Sequence, residues 1–148
     1  MSTRRPDFEK QFLERIARVR SDSDAIMRES VQRLIAFAQT PIGAGGNMPV
    51  DVGFLRASLV VRPGRSPMVA QDKPKSGGPV SYDAGPSSLA ILAWDMTGPL
   101  RAIWTARYAR HVHYGARGRP GRPWVTLARQ RWPQIVGEVI ADAKGRRG

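Results

Sequence analysis

Between Asp7 and Ala38 the apolar residues Phe12, Ile16, Val19, Met27, Val31, Leu34, Ile35 and Ala38 recur at steps of three and four. This spacing puts them on one side of an α-helix, because side chains three and four positions apart stack on the same face. An amphipathic helix of this length sets the scale of the fold, since the other elements must cover its apolar face. Ser21-Asp22-Ser23-Asp24, in its middle, is poor helix-forming sequence and suits a helix start, where short oxygen-bearing side chains satisfy free N–H groups. One bent helix and two successive helices both fit. Thr40-Pro41 ends the segment, because the residue before proline disfavours helical backbone, and Gly43, Gly45 and Gly46 make residues 40–50 a loop.

Asp51-Val52-Gly53 reads as a turn that launches a strand from Phe54 to Val61, with Leu55, Ala57, Leu59 and Val61 on one face. Between Arg62 and Pro79 stand four prolines, three glycines and no apolar period. That composition buries too little surface to offset the entropy of ordering, so residues 62–79 are expected to form a mobile loop ordered only by a partner. Ser88–Trp94 and Leu100–Ala106 read as strands, joined antiparallel through the hairpin-turn residues Asp95-Met96-Thr97-Gly98-Pro99. Both runs are apolar at consecutive positions, which predicts burial on both faces, by helices on one and a neighbouring subunit on the other.

Trp124, Ala128, Trp132, Ile135, Val139 and Ala143 predict a last helix, interrupted by Pro133. Either the helix bends there or a second begins with the proline in its first turn. Gly145 is expected to end it, leaving a basic tail over 145–148. No internal repeat is visible. The sequence thus predicts one α+β domain over 1–148, with a long N-terminal helix, a small mostly antiparallel sheet carrying a hairpin, and a C-terminal helix.

Composition narrows the function classes. At 148 residues the chain can bury a core without staples, and with no cysteine it has neither disulfides nor thiolate metal ligands. No apolar run approaches the ~20 residues of a membrane-spanning helix, and the N-terminus lacks the apolar centre of a secretion signal. The formal net charge is +12, mostly from arginine, and from Arg107 onward ten basic residues face only two acids, Glu138 and Asp142. Such a surplus attracts polyanions, either nucleic acid or an acidic partner subunit, and charge by itself does not choose.

Constellations for chemistry are absent from the pattern. His111 and His113 would share one face of a strand, but no third or fourth ligand completes a metal shell. The acids are scattered, and no Gly-x-Ser-x-Gly elbow, Ser-x-x-Lys pair or P-loop occurs. The reading is therefore a non-enzyme without cofactor or metal. Arg117-Gly118-Arg119-Pro120-Gly121-Arg122 has the character of a flexible phosphate-binding loop, with no sequence-reading motif beside it. Trp94, Trp104, Trp124 and Trp132 suit core or interface anchoring.

Two blocks carry a resemblance: Met48-Pro-Val-Asp-Val-Gly-Phe-Leu-Arg-Ala-Ser-Leu59, after an amphipathic helix, and Tyr108-Ala-Arg-His-Val-His-Tyr-Gly115, before Gly121-Arg-Pro-Trp-Val-Thr-Leu-Ala-Arg129. In order and spacing the chain resembles the tail-component family of siphophages, implicated in tail completion and head-tail joining. Val52 stands where that family usually has Thr, and His113 where it usually has an acid. The resemblance implies a structural virion protein, assembled in the host cytoplasm, that forms a homo-oligomeric ring at the head-tail neck. Its partners would be other neck and tail proteins, with packaged DNA a further contact. It marks Asp51, Gly53, Leu55, Arg56, Tyr108, Tyr114, Gly115, Arg122, Pro123 and Trp124 as fold-defining or subunit-interface positions. Arg117, Arg119 and Arg122 are the candidates for contact with DNA or an acidic partner. The alternative class is a sequence-nonspecific nucleic-acid-binding protein, and a hydrolase or nuclease comes last because no carboxylate cluster would hold its metal.

Overall fold

A computed structural model describes residues 6–75 and 77–147. Helix α1 spans Pro6–Gln39 without a break, so of the two arrangements the single helix forms and Ser21 to Asp24 cap no second one. At 1.5 Å per residue it is roughly 50 Å long. Its second half buries Ile35 and Ala38 against the body, whereas residues 7–21 are exposed throughout. A 3₁₀ turn at Ile42–Ala44 follows, closed by Gly45 in the left-handed region at φ 90.

The strand expected from Phe54 to Val61 is half helix. Residues Phe54–Ala57 form one helical turn, α2, and only Leu59–Pro63 form strand β1. The reason is visible in burial: Phe54 and Leu55 are both buried, which a helical turn entering a core permits and a one-faced strand does not. The loop that follows has no regular structure from Arg65 to Ala70, as its composition required, but it is tied to the body. Gly64 N donates to Pro99 O at 3.0 Å, Gln71 N to Thr105 O at 2.7 Å and Val80 N to Val52 O at 2.7 Å.

Of the segment expected as a strand over Ser88–Trp94, all but Trp94 lies in helix α3, Gly85–Ala93. Short apolar runs do not distinguish strand from helix, and here Pro86 in the first turn and the alanines and leucines decide for helix. Ser87 and Ile91, one turn apart, are its buried side; Leu89 and Leu92 face outward. Asp95 to Pro99 therefore joins a helix to a strand, with Thr97 N and Oγ1 both donating to Asp95 Oδ1. Strand β2, Leu100–Trp104, pairs antiparallel with β1, with Leu59 opposite Trp104 and Pro63 opposite Leu100. Double burial of this strand does not occur: Ala102 is exposed and Leu100, Ile103 and Trp104 are half-buried.

The hairpin of the fold lies elsewhere. Helix α4, Ala109–Tyr114, runs into strands β3, Gly115–Ala116, and β4, Arg119–Pro120, which pair antiparallel around Arg117-Gly118. Helix α5 covers Trp124–Gln130 and helix α6 Trp132–Arg147, so Pro133 sits in the first turn of a new helix. Gly145 does not end α6, which continues through the expected tail to Arg147; Gly148 lies outside the described residues. The architecture is α+β: α1 packs along α6, α5 and α3, with two small two-stranded sheets.

One core cluster joins Ala38, Met48, Phe54, Leu55, Ala106, Trp124 and Ala128; a second joins Ile35, Leu59, Val61 and Ile91. Trp104 touches both and meets Trp124 edge-on at 5.7 Å. Burying an indole such as Trp124 releases on the order of 4–6 kcal/mol of gross transfer free energy. On the surface, Arg33 Nη2 bridges Glu29 at 2.8 Å and Asp142 at 2.7 Å, linking α1 to α6. The Glu29 carboxyl is held below its usual range, first by the Arg33 hydrogen bond.

Candidate interaction surfaces

The two sequence blocks meet in the first core cluster. Gly53 adopts φ 88, and a Cβ built there would lie 2.2 Å from the Val80 carbonyl oxygen, so only glycine fits this approach of two backbones. It opens α2, which sends Leu55 into the core. The Tyr108 ring lies 6.1 Å from that of Phe54, and partial burial pushes its hydroxyl pKa up. Pro123 precedes α5, whose first residue, Trp124, is 1 % exposed. Gly115, at φ 92, lets the chain leave α4, and a Cβ there would lie 2.7 Å from Arg119 O. Leu55, Tyr108 and Trp124 thus serve packing, and Gly53 and Gly115 serve backbone geometry.

Of the other marked residues, Asp51, Arg122 and Tyr114 are exposed and Arg56 is half-buried. Asp51 is exposed, with Lys73 Nζ at 3.7 Å. Arg56 donates from Nε to Gln39 O and lies over the Tyr82 ring at 5.0 Å. Arg122 donates from Nη2 to Asn47 Oδ1 at 2.8 Å. Tyr114 is 74 % exposed, its ring edge-on to His113 at 4.4 Å. The two histidines do not share a face: on a helix, positions two apart diverge by about 200°. His111 is exposed, while His113 is buried beside Trp124 and Thr126. Among the described residues no cluster of three or more potential metal ligands exists, and no helix is long and apolar enough to cross a membrane.

Gln39 is the residue that sequence reasoning missed. It is 2 % exposed and both ends of its amide are bonded: Nε2 donates to Arg56 O at 2.8 Å and Oε1 accepts from Trp104 Nε1 at 2.9 Å. No local signal marks it, because its side-chain partners lie 17 and 65 positions away.

Two surfaces remain available for partners. The first is the exposed half of α1, with Phe8 at 67 %, Phe12 at 56 %, Leu13 at 64 % and Val19 at 63 % exposure, and Phe8 stacked on Phe12. The second is basic. Residues 96–137 contain eight arginines and no acid. Of these, Arg117, Arg119 and Arg122 line one cleft of about 850 Å³ with His111, over Ile42 and Val112. No acid lines that cleft; Asp72 pairs with Arg107, and Asp142 with Arg33. No protein-family model, curated protein or solved structure matches the chain.

Proposed function

We propose that this chain is a structural, non-enzymatic subunit of the head-tail neck of a tailed phage or phage-like particle. It forms a homo-oligomeric ring that completes the tail or joins it to the capsid, in contact with other neck and tail proteins. The observation that carries the assembly role is the apolar row on residues 8–19 of α1. A single-chain protein that leaves several large apolar side chains exposed along one projecting helix has a protein surface to meet, because such patches otherwise favour aggregation. The two motif blocks, which fold into one core beside the end of α1, support the family reading through the resemblance they carry.

The test is electron microscopy of particles from a strain lacking the gene, scoring filled heads, free tails and joined particles. Unjoined heads and tails, or tails with aberrant ends, are the expected result; normal joined particles would refute the neck role. A stand-alone nucleic-acid-binding protein is the second reading, favoured by the acid-free stretch over 96–137.

A further inference from the structure

We propose that the cleft between the β3–β4 hairpin and the Ile42 turn binds the phosphodiester backbone of nucleic acid without reading its sequence. The first observation is the hairpin tip. Arg117 at φ 51 and Gly118 at φ 76 both lie in the left-handed region, the geometry of a type I′ turn, whose first position favours Asn, Asp or Gly. Arginine meets a conformational penalty there, and no hydrogen bond or ion pair of its side chain with the described residues offsets it. A residue held in a strained conformation with no structural return points to an external ligand.

The second observation is what surrounds the tip. Arg119 is likewise exposed and without a partner among the described residues, and Arg122 spends one nitrogen on Asn47 while still lining the cleft. His111 completes the rim. Planar guanidinium forks match phosphate oxygens two at a time, and Arg is the side chain suited to that geometry. The centre of an interface with a folded protein is depleted in charge and rich in apolar anchors, whereas nucleic-acid interfaces are polar and strongly positive. An acid-free rim of three arginines fits the second description. Strands of two residues each are too short to carry a reading head into a groove, so the contact is with the backbone.

The inference does not rest on the neck assignment: particle morphology tests the one and binding by the purified chain tests the other. The experiment measures fluorescence anisotropy of a mixed-sequence DNA duplex with the full chain between 50 and 200 mM NaCl. Three neutralised phosphates predict a binding constant that falls roughly 40-fold over that range, from a salt slope of about 0.9 per contact. The double variant Arg117→Asn with Arg119→Ala is expected to flatten the slope by about 2. A charge-matched control, Arg62→Ala with Arg65→Ala, keeps the wild-type slope. Neither cleft substitution removes an internal contact, so thermal melting should show the variant folded. Equal losses in both variants would reduce the effect to bulk charge and overturn the site. So would absence of duplex binding at 50 mM, or tighter binding of polyglutamate than of DNA, which would reassign the cleft to an acidic protein.

Discussion

Gln39 and Arg56 hold each other in both directions: the Gln39 amide donates to the Arg56 carbonyl at 2.8 Å, and Arg56 Nε donates to the Gln39 carbonyl at 2.7 Å. The exchange ties the last residue of α1 to α2. With Trp104 Nε1 on the same amide, it connects α1, α2 and β2 through one buried side chain.

Gln39→Ala should therefore cost about 2–4 kcal/mol, because it leaves the Trp104 N–H and the Arg56 carbonyl without their partner in a largely buried site. Urea unfolding should show a lower midpoint with an unchanged slope. A loss below about 0.5 kcal/mol would mean that water replaces both bonds.

Gly53 and Gly64 offer a matched comparison, since both hold positive φ, 88 and 86, but only Gly53 faces a backbone atom. Gly64→Ala should cost about 1 kcal/mol, the left-handed penalty alone. Gly53→Ala should exceed it by 2 kcal/mol or more, an estimate that adds to this penalty the Val80 carbonyl clash and its backbone shift. Equal costs would show that the loop at Val80 yields freely.

Arg117→Asn should raise stability by about 0.5–1 kcal/mol, because Asn tolerates the left-handed region that arginine resists. Calorimetry would show a melting temperature above wild type. A gain in stability joined to a loss of DNA binding is the combined signature of a tip kept for its ligand.

His113 is buried with Nδ1 unpartnered, and desolvation lowers its pKa from the ordinary 6.5. Thr126, Tyr114 and Trp124 face it, and none of them carries a charge at neutral pH. The unfolded chain therefore binds a proton that the folded chain resists. This contribution is intact above about pH 6.5 and declines as pH falls below it. His113→Gln should flatten the stability profile between pH 7 and 5 relative to wild type; identical profiles would exclude His113 as a source.

Phe12→Glu with Val19→Glu should leave folded stability within about 0.5 kcal/mol, as both side chains are exposed. If α1 carries subunit contacts, the same variant should lose higher-mass species in native mass spectrometry. An unchanged mass distribution would remove α1 from the assembly interface.

The sequence by itself determined both terminal helical regions, the helix-ending loop after Gln39 and the basic character of the C-terminal half. Each rests on a local rule: apolar period, proline geometry or charge. It also marked Gly53, Leu55 and Trp124, through motif order, as positions that matter. Only the tertiary structure decided that Ser88 to Ala93 coils rather than extends, since a short apolar run satisfies either period. It also decided that β2 pairs with β1, Leu59 opposite Trp104, and that Gln39 bonds across the elements of the core. Tertiary packing further decided that the first half of α1 is left uncovered, because period shows that a helix has an apolar face and not whether the chain supplies anything to bury it.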